Sequence, residues 1–162
     1  VWQTNGEFEE KFATRHLELV SSLPKNPVLI RADGRRLWRI LENLYNNAYK
    51  YAMQNSRIYV DVAQRDGKAI FTIKNVSENP LNISADELTE RFVRGDVART
   101  TEGTGWGLSI AQSLTKLQNG TFTLSIDGDL FKAEVAFPVK WTTLEEYEEQ
   151  EQREEETAAE AE

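Results

Sequence analysis

Three polar side chains recur on one face of a helix that the sequence predicts in the first half of the chain. Asn43, Asn47 and Lys50, within the segment ENLYNNAYKY, are spaced i, i+4 and i+7, so they share one helix face. Asparagine is a poor helix former, and two asparagines in mid-helix lower helix stability unless they have another use. Amide oxygens suit Mg²⁺, which also binds water and nucleotide phosphates, and Lys50 could contact a phosphate. A solvated polar face is the alternative interpretation.

A glycine-rich segment, TEGTGWGL, precedes a second predicted helix. Gly103, Gly105 and Gly107 would let the backbone approach a ligand closely, and the following helix N-terminus offers free N–H groups to phosphate. The segment is not a P-loop, because no Gly-Lys-Ser/Thr follows, and it is not the dinucleotide fingerprint, because no strand–helix–strand unit surrounds it. Flexible loops are rich in glycine for many other reasons, so the motif is weak evidence by itself.

Two arginines enter the same region from its N-terminal side. Arg94, in the segment ERFVRGD, and Arg99 could reach phosphates as forked donors. The alternative interpretation is that both are surface charges on a loop, and it explains Arg99 at least as well.

Hydrophobic periodicity indicates the elements that must position these residues. Asp33 is a suitable N-cap for a long helix that should end near 54–56, and its apolar residues recur at intervals of three and four. A second helix is predicted over 106–118, and a short one after Ser84. The β-prone runs are 17–20, 28–31, 57–64, 69–74, 121–126 and 130–138. Adjacent hairpins predict an α+β fold, with an antiparallel or mixed sheet covered on one face by helices.

Charge divides the 162 residues into a balanced domain and an acidic tail. The net charge is -8, but ten glutamates and one arginine follow Leu144, so the remainder is close to neutral. We therefore predict an entry linker or a first strand over 1–16, a domain over 17–140 and an acidic tail over 141–162. The overall acidity argues against a nucleic-acid partner. The absence of cysteine and the single histidine exclude a thiolate zinc site and make a His-rich metal site improbable.

In order and separation, these segments resemble the ATP-binding catalytic domain of bacterial sensor histidine kinases, in the gyrase/Hsp90/histidine kinase/MutL superfamily. The resemblance covers about 17–139. The run from Asp33 to Tyr51 looks like the N box of the family, ERFVRGD like its F box, and GTGWGLSIAQSL like its second glycine box. The implied fold is a two-layer α/β sandwich of the Bergerat type, a mixed sheet of about five strands covered on one face by about three helices.

The resemblance implies a role for each residue that matches a motif. Asn47 would be the Mg²⁺ ligand, Asn43 would support the metal–phosphate site, Lys50 would contact phosphate and Tyr51 would lie near the adenine. Arg94 would contact phosphate near the lid. The residues that would form the end of the lid and the floor under the phosphates are Gly103, Gly105, Gly107 and Leu108. The ATPase branches of the superfamily carry a glutamate as general base where this chain has Asn43, which favours phosphoryl transfer to a protein over hydrolysis.

The first glycine box of the family departs from its pattern in this chain. Asn75, Ser77 and Asn79 stand where the family has Asp-x-Gly-x-Gly. Asn75 could still accept a hydrogen bond from the adenine amino group, but a neutral acceptor gives a weaker bond than a charged one. This departure motivates an alternative from another class, a degenerate, non-catalytic module that binds a partner. A third hypothesis, a serine kinase acting on an anti-anti-sigma factor, shares the superfamily.

The implied partners and location come from the resemblance alone. The domain would bind Mg·ATP and transfer the γ-phosphoryl group to a histidine on a separate upstream dimerisation hairpin, from which a response regulator would receive it. The parent would be a homodimeric, membrane-anchored sensor kinase with this domain in the cytoplasm. The chain begins without Met, as expected of a piece of a longer protein. We interpret His16 as structural and expect no autophosphorylation by these residues alone.

Overall fold

The structure is a computed structural model that describes residues 1–81, 87, 105–141 and 144–160. Four helices have defined bounds in this part of the chain: α1 Trp2–Ala13, α2 Gly34–Tyr51, α3 Gly105–Leu117 and α4 Leu144–Glu160. The strands are β1 Glu18–Ser22, β2 Leu29–Ile30, β3 Arg57–Arg65, β4 Lys68–Val76, β5 Thr121–Asp127 and β6 Leu130–Trp141. The predicted short helix after Ser84 falls outside the described residues, apart from Glu87.

One mixed sheet contains all six strands. β1 pairs with β3 in parallel, and the β3–β4, β4–β6 and β5–β6 pairs are antiparallel. The long strand β6 also pairs with β2 near its end, where Leu29 opposes Trp141. Asp66 and Gly67 connect β3 to β4 with φ values of 50° and 70°, the conformation that their dipeptide favours in a tight hairpin. The predicted α+β fold with a mixed sheet is confirmed, with six strands rather than about five.

Helix α2 packs one face on this sheet. Asp33 accepts a hydrogen bond from the Arg36 backbone N–H at 3.0 Å, which confirms it as the N-cap. The buried side chains of α2 are Ile40, Leu41, Leu44, Tyr45 and Ala48. They meet the inward residues of the central strands, which are Ile58, Val60, Phe71, Ile73, Ala133, Val135 and Phe137. Alternation in the strands and the three-to-four spacing in α2 therefore combine to form one core.

The prediction of a linker or a strand over residues 1–16 is wrong, because Trp2–Ala13 is a helix. Its buried residues Thr4, Phe8 and Phe12 are four apart, which is a helical period. Phe8 and Phe12 lie with their ring centroids 5.1 Å and 6.1 Å from that of Tyr45. The burial of these rings outweighs the low helix propensity of the glycine at position 6. Burial also raises the pKa of Tyr45.

The only histidine of the chain, His16, lies in the turn that follows α1. The Leu17 N–H donates to the Phe12 carbonyl at 3.0 Å and the His16 N–H to the Ala13 carbonyl at 3.0 Å, while His16 has a φ of 54°. This is the Schellman pattern, in which one left-handed residue reverses the chain after a helix. His16 thus occupies a backbone position that glycine favours, in agreement with a structural role.

Helix α3 ends in the same way, but the left-handed residue is the one before Gly120 and not Gly120 itself. Asn119, with a φ of 60°, is the left-handed residue, and the Gly120 N–H donates to the Thr115 carbonyl at 2.9 Å. A Cβ on Gly120 would lie 2.6 Å from a ring carbon of Phe137 and 2.8 Å from the Thr115 methyl group. Gly120 is therefore required for the close packing of this helix end on β6, and not for its backbone conformation.

Most of the acidic tail forms α4, Leu144–Glu160, which is the element after β6 in the chain. Its side chains form pairs one turn apart, such as Arg153 with Glu149 at 3.9 Å and Tyr147 with Glu151 at 2.9 Å. In the described residues, no helix combines the length and the apolar character that crossing a bilayer requires. The predicted domain bounds, 17–140 and 141–162, stay a prediction.

Replacing His16 by glycine should stabilise the protein, because glycine adopts a positive φ without steric strain. We expect His16→Gly to raise the free energy of unfolding by about 0.5–1 kcal/mol in urea denaturation. The matched control is Ala13→Gly, since Ala13 is an exposed residue at the end of helix α1. This control should lower stability by about as much. A loss of stability in His16→Gly would contradict the assignment of this turn.

The two glycines at 6 and 120 should respond oppositely to alanine. Gly120→Ala should lower the free energy of unfolding by about 1–3 kcal/mol, because the new methyl group overlaps Phe137 and Thr115. Gly6→Ala should raise it by about 0.5–1 kcal/mol, because no atom lies within 4 Å of the new Cβ and alanine favours the helix. Thermal and urea unfolding of both variants would measure the contrast, and an equal response would refute it.

Candidate functional site

A cavity of about 250 Å³ lies over the polar face of α2. Its lining residues are Asn43, Asn46, Asn47, Tyr49, Lys50 and Gly107. Four of them stand at positions i, i+3, i+4 and i+7 of α2, so they project from one side of the helix, opposite to the side that packs on the sheet. The N-terminal turn of α3 supplies the facing wall through Gly107. The predicted polar face of α2 is thus one wall of a cavity.

Gly107 lies against Asn43 where the two helices meet at this cavity. A Cβ on Gly107 would lie 3.4 Å from the Asn43 side-chain oxygen, at the limit of ordinary van der Waals contact. The Asn43 nitrogen donates to the Arg39 carbonyl at 2.8 Å, one turn earlier in α2. This bond orients the amide, so the oxygen of Asn43 is the atom that faces α3.

Lys50 brings a positive charge to the same cavity. Its ammonium group lies 5.3 Å from the centroid of the Tyr51 ring, a cation–π distance, so the two side chains lie side by side at the end of α2. Tyr51 is half-buried, but it is not among the lining residues described above. The structure therefore brings Lys50 to the amides and leaves Tyr51 at the edge of the site.

The remaining predicted site residues take different positions. Leu108 is 3 % exposed and belongs to the hydrophobic core, directly after Gly107. Gly105 is the first residue of α3. Arg94 and Gly103, as well as Arg99, lie outside the described residues. Of the glycine-rich segment, the described part thus shows one residue at the cavity and one at the start of the helix.

Asn75 lies inside the protein, near the end of β4. It is 2 % exposed, stands between Ile58 and Phe131 on the neighbouring strands, and donates from its amide nitrogen to the Val76 carbonyl at 3.2 Å. Two residues later, Ser77 forms an antiparallel bridge with Ala52. The altered glycine box therefore begins on a buried strand end that is joined to the end of α2.

Two residues that line the cavity, Asn46 and Tyr49, were not among the predicted site residues, and both contact Lys11 of α1. Asn46 accepts a hydrogen bond from the Lys11 ammonium group at 2.6 Å, and that ammonium group lies 4.8 Å from the centroid of the Tyr49 ring. The helical spacing could have indicated Asn46, which is three residues from Asn43. No local signal pointed to Lys11, because its contact with Asn46 spans 35 residues of sequence.

The amide oxygens of the cavity suit a hard cation only when a second molecule, such as one that carries phosphate groups, supplies further oxygen ligands. Among the described residues, no group of three or more His, Cys, Asp or Glu side chains could hold a metal ion. The cavity instead offers neutral amide oxygens, which Mg²⁺ accepts when phosphate oxygens and water complete its coordination shell. The residues present therefore fit a magnesium–phosphate ligand better than an isolated metal ion.

The chain matches the family of histidine kinase-, DNA gyrase B- and HSP90-like ATPases over residues 32–154. It belongs to this family. The resemblance to histidine kinase ATP-binding domains is thereby confirmed, and the chain is an ATP-binding domain of this type. The matched range also includes the first part of the acidic helix α4.

One curated relative and two solved structures illustrate the similarity. The chain is 31% identical over 120 residues to the sensor histidine kinase RppB of Synechocystis sp., a match of 73% of this chain and 26% of RppB. The catalytic domain of histidine kinase ThkA superposes with a TM-score of 0.73 at 22% identity, over 85% of this chain and 88% of that domain. ThkA in complex with the response regulator TrrA gives 0.68 at 19%, over 85% of this chain and 39% of ThkA. The chain thus spans about a quarter of RppB.

Replacing Asn75 by aspartate should destabilise the protein without ligand and strengthen its binding of ATP. We expect Asn75→Asp to lower the free energy of unfolding without ligand by at least about 1 kcal/mol, because the buried carboxylate would lose the donor that now serves the Val76 carbonyl. It should also tighten ATP binding through a charge-assisted hydrogen bond. Urea unfolding with and without ATP measures both effects. Asn26→Asp, at an exposed loop position away from the site, is the control. Unchanged or weaker ATP binding would refute this role of Asn75.

Proposed function

We propose that the cavity over α2 binds Mg·ATP, with Asn47 as the protein ligand of the metal. The observation that supports this most is the joint lining of the cavity by two N-box asparagines, the Lys50 amine and Gly107 at the start of α3. These groups provide oxygen atoms for a hard cation and a positive charge for phosphate on one surface. Bound Mg²⁺ would neutralise negative charge on the triphosphate.

The protein groups around the phosphates would act mainly by positioning. Lys50 would contact phosphate, and Asn43, held by the Arg39 carbonyl, would support the metal–phosphate site without rotating. The first turn of α3 would direct its free N–H groups and the positive end of its dipole at the phosphates. Leu108 would anchor that turn in the core beneath them, and Gly105 with Gly103 would form the end of the lid.

The adenine would lie toward the other end of the site. Tyr51 stands next to Lys50 at the end of α2, and Asn75 lies on the neighbouring strand, whose end is joined to α2 through the Ala52–Ser77 bridge. Asn75 would accept from the adenine amino group through its amide oxygen. Arg94 would contact phosphate near the lid.

We further propose that the domain donates the γ-phosphoryl group to a histidine on a separate upstream helical hairpin. A hydrolytic ATPase needs a general base at the metal site, and this chain has Asn43 at the position of the ATPase glutamate. The neighbouring Glu42 does not replace that base, because it pairs with Arg39 at 3.9 Å and is not among the described lining residues of the cavity. This arrangement supports transfer to a protein acceptor.

The wider assembly follows by analogy with the relatives. A response regulator would receive the phosphoryl group from the histidine, as the solved complex of ThkA with a response regulator suggests by its composition. The parent protein would be a homodimer. Its membrane anchor and the cytoplasmic location of this domain stay predictions from the family resemblance.

Replacing Asn47 by alanine should remove the magnesium-dependent part of ATP binding. In isothermal titration with excess MgCl₂, we expect the unaltered chain to bind ATP saturably and Asn47→Ala to bind at least about tenfold more weakly, a difference of about 1.4 kcal/mol. With EDTA in place of magnesium, the two proteins should bind alike, because the lost contact is to the metal.

Asn26→Ala is the control, since Asn26 is an exposed loop residue. Equal affinities of Asn47→Ala and the unaltered chain in magnesium would contradict the ligand assignment. No binding by the unaltered chain at millimolar ATP would contradict the proposed function and leave the non-catalytic, partner-binding module.

A further inference from the structure

The carbonyl groups at the end of α2 are satisfied from outside the helix. The last carbonyls of any α-helix have no partner within it. At the end of α2, the guanidinium group of Arg15 donates to three of them: one nitrogen donates to the carbonyls of Tyr49 and Lys50, the latter at 3.1 Å, and the other donates to the carbonyl of Ala52 at 3.0 Å. One side chain thus caps most of this helix end.

Glu78 completes the cluster. Its backbone N–H donates to the remaining carbonyl, that of Tyr51, at 2.9 Å. Its carboxylate lies 2.6 Å from the Arg15 guanidinium, whose side chain is only 19% exposed. Charge-assisted hydrogen bonds of this kind are about twice as strong as neutral ones. The guanidinium therefore joins the end of α2 to the residue that follows Ser77 in the altered glycine box.

The backbone around Arg15 holds the side chain at this place. Arg15 precedes the left-handed His16 in the turn that ends α1, and its N–H donates to the Phe12 carbonyl at 3.0 Å. Phe12 is fully buried against the ring of Tyr45 in α2. The guanidinium also lies 5.8 Å from the centroid of the Tyr49 ring. Arg15 is thus fixed relative to α2 by packing on both sides.

The capped turn carries two of the side chains that line the cavity. Tyr49 and Lys50 line the cavity, and Tyr51 lies beside Lys50. A helix end without partners for its carbonyls frays, and fraying would change the direction in which Lys50 projects. A cation at this end also opposes the negative end of the helix dipole.

We propose that Arg15 is a positioning residue of the nucleotide site, which fixes Lys50 and Tyr51 by capping the last turn of α2. The inference rests on the proposed function of the cavity. Arg15 is not among the described lining residues, so it acts through α2 and not by contact with the ligand. Residues before β1 would thereby influence nucleotide affinity across 34–37 residues of sequence.

Substitutions that separate capping from charge test this proposal. Arg15→Met keeps most of the side-chain length and removes every donor, and we expect it to weaken Mg·ATP binding about tenfold in isothermal titration. Arg15→Lys keeps the charge but not the fork and should recover part of that loss. Glu78→Gln removes only the ion pair and should weaken binding less than Arg15→Met does. Arg57→Met is the matched control, because Arg57 pairs with Glu18 at 3.1 Å, away from α2.

Hydrogen exchange supplies a readout that a general loss of stability would not produce. In Arg15→Met, the amides of Ala52 and Met53, which donate to the Ala48 and Val76 carbonyls, should exchange faster. The amides in the middle of α2 should keep their protection. Uniformly faster exchange throughout α2 would overturn the local role of Arg15. If Arg15→Met does not fold, Arg15→Lys decides the matter, and unaltered affinity together with unaltered exchange in that variant overturns the proposal.

Three further results would count against the proposal. A charge-reversed pair, Arg15→Glu with Glu78→Arg, cannot donate from position 15 to the carbonyls, so restored ATP affinity in this double variant would overturn the capping role. Normal ATP affinity in Arg15→Met would overturn the role of Arg15 while the proposed function stands. No ATP binding by the unaltered chain would overturn both.

Discussion

Helix α2 packs one side on the sheet and lines the cavity with the other side, and the rest of the structure depends on this constraint. Its buried side, which includes Ile40, Leu44 and Tyr45, meets the inner face of the sheet. Each such side chain contributes about 1.5–3 kcal/mol on burial. The opposite side carries asparagines, which lower helix stability. Burial of the apolar side offsets this loss of stability, and it fixes which way the asparagines project.

The helix ends carry the connections between layers. The left-handed residues at the ends of α1 and α3, His16 and Asn119, reverse the chain toward β1 and β5. The end of α2 has no such reversal. Ala52 is extended and bridges Ser77, so the helix passes directly into contact with β4. An end of this type leaves its carbonyls to outside donors, and this is why Arg15 can couple α1 to the site.

The cavity is a product of helix spacing. The start of α3 lies against Asn43 at Gly107, and the two helices enclose a space lined by amides, an amine and a helix N-terminus. This arrangement suits a polyanionic ligand carrying a hard cation, which agrees with the membership of the chain in the ATPase family. The charge of the acidic tail has no part in the described cavity, since none of the lining residues belongs to α4.

The sequence by itself determined the elements whose signals are local. The N-cap at Asp33, the Asp-Gly hairpin turn and the period of α2 each lie within a few residues, and so do the cavity positions Asn43, Asn47 and Lys50. Only the tertiary structure decided that residues 2–13 are helical, that α2 ends at Tyr51 and that Arg15 caps it. Those outcomes depend on partners 25 or more residues away or on burial against them, and no local pattern encodes the geometry of such contacts.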